Sequence, residues 1–161
     1  MSDWIEVGQE APSFSLPADN GKKVVLSKLR GSPVVLYFYP RDDTPGCTAE
    51  ACAFRDQKAE LARRGAQLLG VSTDSVESHE GFRDKYQLNF PLLADVDHQV
   101  AEEYGAWREK TRFGKTSMGV QRSTFLIDAK GIVQKVWKSV TVENHDRQVL
   151  EALDGIEGSG D

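Results

Sequence analysis

Residues 34–39 (VVLYFY) form an unbroken apolar run, mostly β-branched or aromatic, closed by Pro40; this predicts a strand buried on both faces. Residues 67–72 (QLLGVS) make a second such run. Between them the apolar positions change to helical spacing. Cys47, Ala51, Phe54 and Leu61 fall on one side of the wheel, whereas Cys52 shares a side with Asp56, Ala59 and Arg63 and points to water. Thr44 stands where an N-cap belongs, and Pro45 suits the first helical position, where its missing N–H costs nothing. Arg63, Arg64 and Gly65 suit the C-terminus. A helix joining two strands makes them parallel neighbours.

Upstream, Phe14 and Leu16 alternate with polar residues, Asn20-Gly21 offers a turn, and residues 24–26 complete an N-terminal hairpin. Ser27 is expected to cap a short turn ending near Gly31. Downstream, residues 75–86 read as a helix, with His79 on a solvated face among Glu77, Glu80 and Arg83. Leu92 and Leu93 follow as a short strand, and Asp97 caps a helix that reaches Tyr104. Residues 106–119 read as a long basic loop whose Trp107, Phe113 and Met118 cover the core or a partner. Residues 123–128 and 132–137 form an antiparallel hairpin, and residues 144–153 a last helix. The order predicts an α/β fold, a central mixed sheet with helices on both faces, in one domain over residues 1–156 with a loose tail at 157–161.

A chain of 161 residues is long enough to bury a core without disulfide staples. The formal net charge of −5 argues against nucleic acid, which needs a basic face. No apolar stretch approaches the length of a membrane span, and the start, MSDWIEVGQE, lacks the apolar segment of a secretion signal. Two cysteines in that setting point to a reducing cytoplasm, where a disulfide is transient.

The chemistry centres on Cys47, placed in the first turn of a helix at the end of a buried strand. Unpaired N–H groups and the helix dipole favour a negative sulfur there. Its Thr-Pro-Gly setting favours a reactive role over that of a small buried hydrophobe. Cys52 lies five residues on, so in an ideal helix the two Cα atoms stand about 140° and about 8.6 Å apart. A disulfide needs about 7 Å or less. Joining the sulfurs therefore requires the first turns of the helix to unwind.

The run Pro40, Thr44, Pro45, Gly46, Cys47, followed by Glu50, Cys52 and residues 54–56 (FRD), resembles the active-site segment of peroxiredoxins of the bacterioferritin-comigratory or PrxQ subgroup. Tyr104-Gly105, residues 114–116 (GKT), Gly119 and residues 122–128 (RSTFLID) extend the resemblance over nearly the whole chain. It implies a thioredoxin-like fold and thiol-dependent reduction of hydrogen peroxide and organic hydroperoxides, with no cofactor or metal. By the same resemblance Cys47 is the nucleophile, Thr44 bonds the sulfur and the incoming oxygen, Arg122 brings a guanidinium to the pocket, and Pro40 shields it from water. It also implies that Cys52 resolves the oxidised Cys47 as an intramolecular disulfide, that thioredoxin recycles it, and that the chain is a monomer.

From the residues alone, Thr44 is an N-cap and Arg122 a surface ion pair. Glu50 either polarises the site or is an exposed first-turn glutamate, and Cys52 either resolves, stays inert or bonds a second chain. A thioredoxin-type disulfide exchanger would separate its cysteines by two residues, where four separate them here. His79, His98 and His145 are scattered far from both cysteines, which argues against zinc. The Gly-Lys-Thr at 114–116 has Glu109 where a phosphate-binding loop needs glycine. A binding module without catalysis leaves no local signature to test.

Overall fold

The computed structural model describes residues 3–159, with side chains through residue 156. The strands are β1 (Ser15–Pro17), β2 (Lys23–Val25), β3 (Val34–Phe38), β4 (Gln67–Ser72), β5 (Leu92–Ala94), β6 (Trp107–Arg112), β7 (Lys115–Val120), β8 (Ser123–Ile127) and β9 (Val133–Trp137). The helices are α1 (Pro45–Asp56), α2 (Lys58–Arg63), α3 (Val76–Tyr86), α4 (Gln99–Tyr104) and α5 (His145–Ser159).

Five strands form the central sheet in the order β5-β4-β3-β8-β9. The β3–β4 and β4–β5 pairs are parallel, as helical crossovers require, and β3–β8 and β8–β9 are antiparallel. Every residue of β3 is buried because the sheet is covered on both sides. Val35 and Tyr37 face a cluster built from Cys47, Ala51, Phe54, Leu61, Phe82, Val149 and Leu153, the inward stripes of α1, α2, α3 and α5. Val34, Leu36 and Phe38 face the opposite cluster, with Phe14, Tyr104 and Phe125, under the β1–β2 hairpin and α4. Gly70 pairs with Tyr37 across the sheet, and a Cβ there would stand 2.9 Å from the tyrosine ring; glycine lets that ring lie flat over β4.

Several boundaries differ from the sequence reading. The single helix expected up to Gly65 breaks at Gln57, whose N–H reaches back to Ala53 O and Phe54 O and whose amide donates to Asp146 Oδ2 at 2.9 Å. The expected basic loop is a regular hairpin, β6 paired with β7 from Trp107↔Val120 to Arg112↔Lys115. Its two-residue turn, Phe113-Gly114, has both φ angles positive (53° and 76°), the turn whose twist matches antiparallel strands. Asp97 does not cap α4; His98 stands at the N-cap, and the Asp95 carboxylate accepts the Val100 and Ala101 N–H groups at 3.2 and 2.9 Å. Ser27 lies inside a 3-10 turn, Leu26–Leu29, rather than capping it. Helix α5 runs past Leu153 to Ser159, and residues 160–161 of the expected tail lie outside the described residues. Among the described residues no helix is long and apolar enough to cross a membrane.

Candidate active site

The loop from β3 to α1 is fastened before it reaches the sulfur. Asp42 is buried, and its Oδ1 accepts from the Tyr39 hydroxyl at 2.6 Å. Its Oδ2 accepts from Ser78 Oγ at 2.8 Å and faces His79 Nδ1 at 2.7 Å. Its main-chain N–H donates to Asp74 Oδ2 at 2.8 Å. Asp43, in the left-handed region at φ 56°, takes Lys85 Nζ at 2.8 Å and the Tyr86 hydroxyl at 2.7 Å, and these donors hold its carboxyl below the usual range. Two successive loop residues are thus tied to α3.

His79 overturns the expected solvated face. It is fully buried, with Nε2 2.9 Å from Leu93 O and Nδ1 on Asp42, so both ring nitrogens meet acceptor oxygens. The signal was present: His79, Phe82 and Tyr86 share one helix face at spacings of three and four, and Phe82 is core. The ligand atoms of Asp42, Asp74 and His79 lie within 4.8 Å of one another, already engaged by Tyr39, Ser72, Ser78 and the Asp42 main chain.

Thr44 occupies the N-cap of α1 with extended backbone, and Pro45 follows at the first helical position. The Thr44 hydroxyl makes no cap bond and donates to Arg41 O at 2.9 Å. Cys47 is the third helical residue, so its N–H has no partner within the helix and points towards the loop. Pro40 is half-buried at the start of that loop.

Around the sulfur, Arg122 joins two groups. It precedes β8, and its Nη2 donates to Cys47 Sγ at 3.2 Å while its Nη1 donates to Glu50 Oε1 at 2.7 Å. A Cβ on Gly46 would stand 3.1 Å from Nη2, so glycine leaves room for the guanidinium over the helix start. Cys47 is only 2% exposed, more enclosed than its junction setting predicts, yet it is in direct contact with Arg122. Glu50 is not an exposed first-turn residue: it is 1% exposed, sharing the stripe of Cys47, Ala51 and Phe54. Burial pushes its carboxyl up to about 7 against the pull of Arg122. Burial pulls the Arg122 guanidinium down, but Glu50 and the Cys47 sulfur together outweigh it. Glu50 Oε2 and the Tyr37 hydroxyl are buried without hydrogen-bond partners, and burial, then Glu50, hold that phenol far above its ordinary value. Both cysteines are free thiols, and Cys52 is half-buried on the other side of α1.

The arrangement brings a sulfur, a guanidinium held by Glu50 and a main-chain donor to one helix start, and groups of these kinds can bind and polarise a small oxygen substrate. Residues 7–136 match the model of the AhpC/TSA family. The chain belongs to that family. Among its peroxiredoxin relatives, peroxiredoxin Bcp of Bacillus subtilis is 48% identical over 149 residues, which covers 92% of this chain and 95% of the relative. A cysteine variant of PrxQ from Xylella fastidiosa superposes with a TM-score of 0.91 at 31% identity, covering 97% of this chain and 99% of the other. The bacterioferritin comigratory protein of Xanthomonas campestris, described in terms of alkyl peroxide reduction, superposes with a TM-score of 0.85 at 38% identity, covering 89% and 91%. A peroxiredoxin of the Bcp/PrxQ kind on a thioredoxin-like fold is a thiol peroxidase.

Proposed function

We propose that this peroxiredoxin reduces hydrogen peroxide and organic hydroperoxides through a sulfenic acid on Cys47, which Cys52 resolves as an intramolecular disulfide and thioredoxin reduces. The reading rests on one observation: a guanidinium held by Glu50 at 2.7 Å and aimed at the Cys47 sulfur at 3.2 Å. The Cys47 thiol gives up its proton, Sγ attacks one peroxide oxygen, and the O–O bond breaks. The departing oxygen takes a proton and leaves as water or an alcohol, and the sulfur becomes a sulfenic acid. Arg122 and the Cys47 N–H meet the charge growing on the oxygens, and one such donor is worth on the order of 3 kcal/mol of barrier. Thr44, released from Arg41 O, turns its hydroxyl to the incoming oxygen, and Pro40 limits water. Helix α1 then unwinds, Cys52 Sγ displaces the sulfenic oxygen as water, and a disulfide forms. The unit that does this is a monomer of one domain, residues 1–156, working in the cytoplasm.

Titration of free thiols before and after one equivalent of peroxide tests the proposal. The chain is expected to lose both thiols rapidly, and Cys52→Ser to stop at an oxidised Cys47. A thioredoxin-like disulfide exchanger or a binding module without peroxidase activity keeps both thiols, and that outcome sinks the reading.

A further inference from the structure

Two residues before Arg122 the chain leaves the β6–β7 hairpin, so the foot of that hairpin stands at the Cys47 site. Successive strand residues point to opposite faces, and directly paired residues share one. The register therefore puts Lys110, Arg112 and Lys115 on a single face with Ser117 and Gly119. The Lys110 stem crosses Gly119, with its Cδ 3.4 Å from where a Cβ would stand. Burial and then Arg122 lower the Lys110 ammonium, and the Cys47 sulfur raises it, as befits a face turned towards the site.

Arg112 and Lys115 are exposed and Lys110 is half-buried, and none of the three has an ion-pair partner among the described residues. They stand together in a chain whose formal net charge is −5. At the tip, Phe113 is 97% exposed. A lone exposed ring is ordinary, but a ring framed by unpaired cations has the composition of an interface, with an aromatic anchor inside a polar rim. Arg112 and Lys115 lie about four residues, ~13 Å, along the strands from Gly119. That is beyond a small peroxide held at the sulfur. It is within the roughly 800 Å² that one partner covers in a protein interface.

We propose that this face docks the protein that reduces the Cys47–Cys52 disulfide, a dithiol protein whose reactive cysteines lie beside an acidic surface. The inference rests on the peroxidase reading of Cys47 and Cys52. A thiolate of the partner attacks one sulfur of the disulfide and releases the other as a thiolate here, which takes a proton. The partner's second thiol then displaces the mixed disulfide, leaving two thiols in this chain and a disulfide in the partner. Opposite charge raises the encounter rate, and added salt weakens it.

The test compares the unsubstituted chain with Arg112→Glu/Lys115→Glu and with Phe113→Ala, using thioredoxin and its reductase as the acidic probe and dithiothreitol as the small dithiol. KM for thioredoxin is expected to rise about tenfold in the charge reversal and about threefold in Phe113→Ala. In the unsubstituted chain kcat/KM for thioredoxin falls as salt goes from about 20 to about 300 mM. Single-turnover oxidation by hydrogen peroxide and turnover with dithiothreitol stay unchanged, which also establishes that the variants fold. A thioredoxin KM within twofold in the variants, no salt dependence, or turnover of the unsubstituted chain with dithiothreitol but none with thioredoxin overturns the proposal. A raised KM for a fatty-acid hydroperoxide in place of thioredoxin overturns it too, by giving the face to substrate. Failure of the peroxidase reading shows separately, as no single-turnover oxidation of the unsubstituted chain.

Discussion

Arg122 joins two buried groups, donating to the Glu50 carboxyl at 2.7 Å and to the Cys47 sulfur at 3.2 Å. A planar fork can reach both at once; an ammonium is a single point charge. Arg122→Lys is therefore expected to slow oxidation of Cys47 by about 10²-fold, read as loss of free thiol in stopped flow, because one donor is lost from the charge-bearing site. An unchanged rate would remove Arg122 from the chemistry. His79 acts at the same scale on stability. Its ring faces Asp42 at 2.7 Å with side-chain exposures of 0% and 4%, so His79→Ala leaves a buried carboxylate without that partner. A loss of about 3 kcal/mol in urea unfolding is expected, and a loss under 1 kcal/mol would mean that Tyr39 and Ser78 suffice to hold Asp42.

Helix α1 is pinned outside the segment that the proposed Cys47–Cys52 disulfide would open. On its N-terminal side Asp42 and Asp43 bind α3, and on its C-terminal side Arg55 Nη1 donates to Tyr86 O at 2.7 Å while Gln57 binds α5. Oxidation is expected to speed amide exchange in residues 46–53 and to leave β3 and α3 protected; protection kept throughout α1 in the disulfide form would contradict unwinding. The elements around this mount were legible because their signals are local. The apolar run of β3, the Thr-Pro start of α1 and the exact span of β4 all follow from neighbouring residues. The β6–β7 hairpin was not, since WREKTRFGKTSMGV buries almost nothing and has no apolar alternation to read; its strands are held by each other. His79 was misplaced, and Glu50 left open between the site and the surface, for a different reason. Both sit on apolar stripes, but partners 72 and 37 residues away, Arg122 and Asp42, make their burial tolerable, and long-range pairing leaves no local mark.

Over the whole molecule, titratable groups, surface and buried, pull the pH dependence of stability in opposite directions. The surface carboxyls of Asp43 and Asp154 and the half-buried one of Glu60 are lowered by hydrogen bonds from Lys85 and Tyr86, from Arg64, and from Arg64 and Arg63 respectively, so their contribution is lost as pH falls through the folded values. Burial lowers His145, which acts in the same direction, since the unfolded chain takes that proton first. Glu50 acts the opposite way. Its carboxyl rises from 4.5 to about 7 in the fold, so its contribution is full below 4.5 and is lost as pH climbs through 7. A shift of that size is worth about 3 kcal/mol, and at 1% exposure solvent does little to reduce it. Comparing Glu50→Gln with the unsubstituted chain cancels every other group. The stability difference, variant minus unsubstituted, is expected to rise by about 3 kcal/mol between pH 4.5 and pH 8 in urea unfolding, and a flat difference would show that Arg122 fully offsets the burial. The same variant is expected to oxidise more slowly, because a neutral amide holds Arg122 less firmly than a carboxylate does. A substitution that stabilises the fold above pH 7 while weakening the site would mark Glu50 as a charge kept buried for chemistry at the expense of stability.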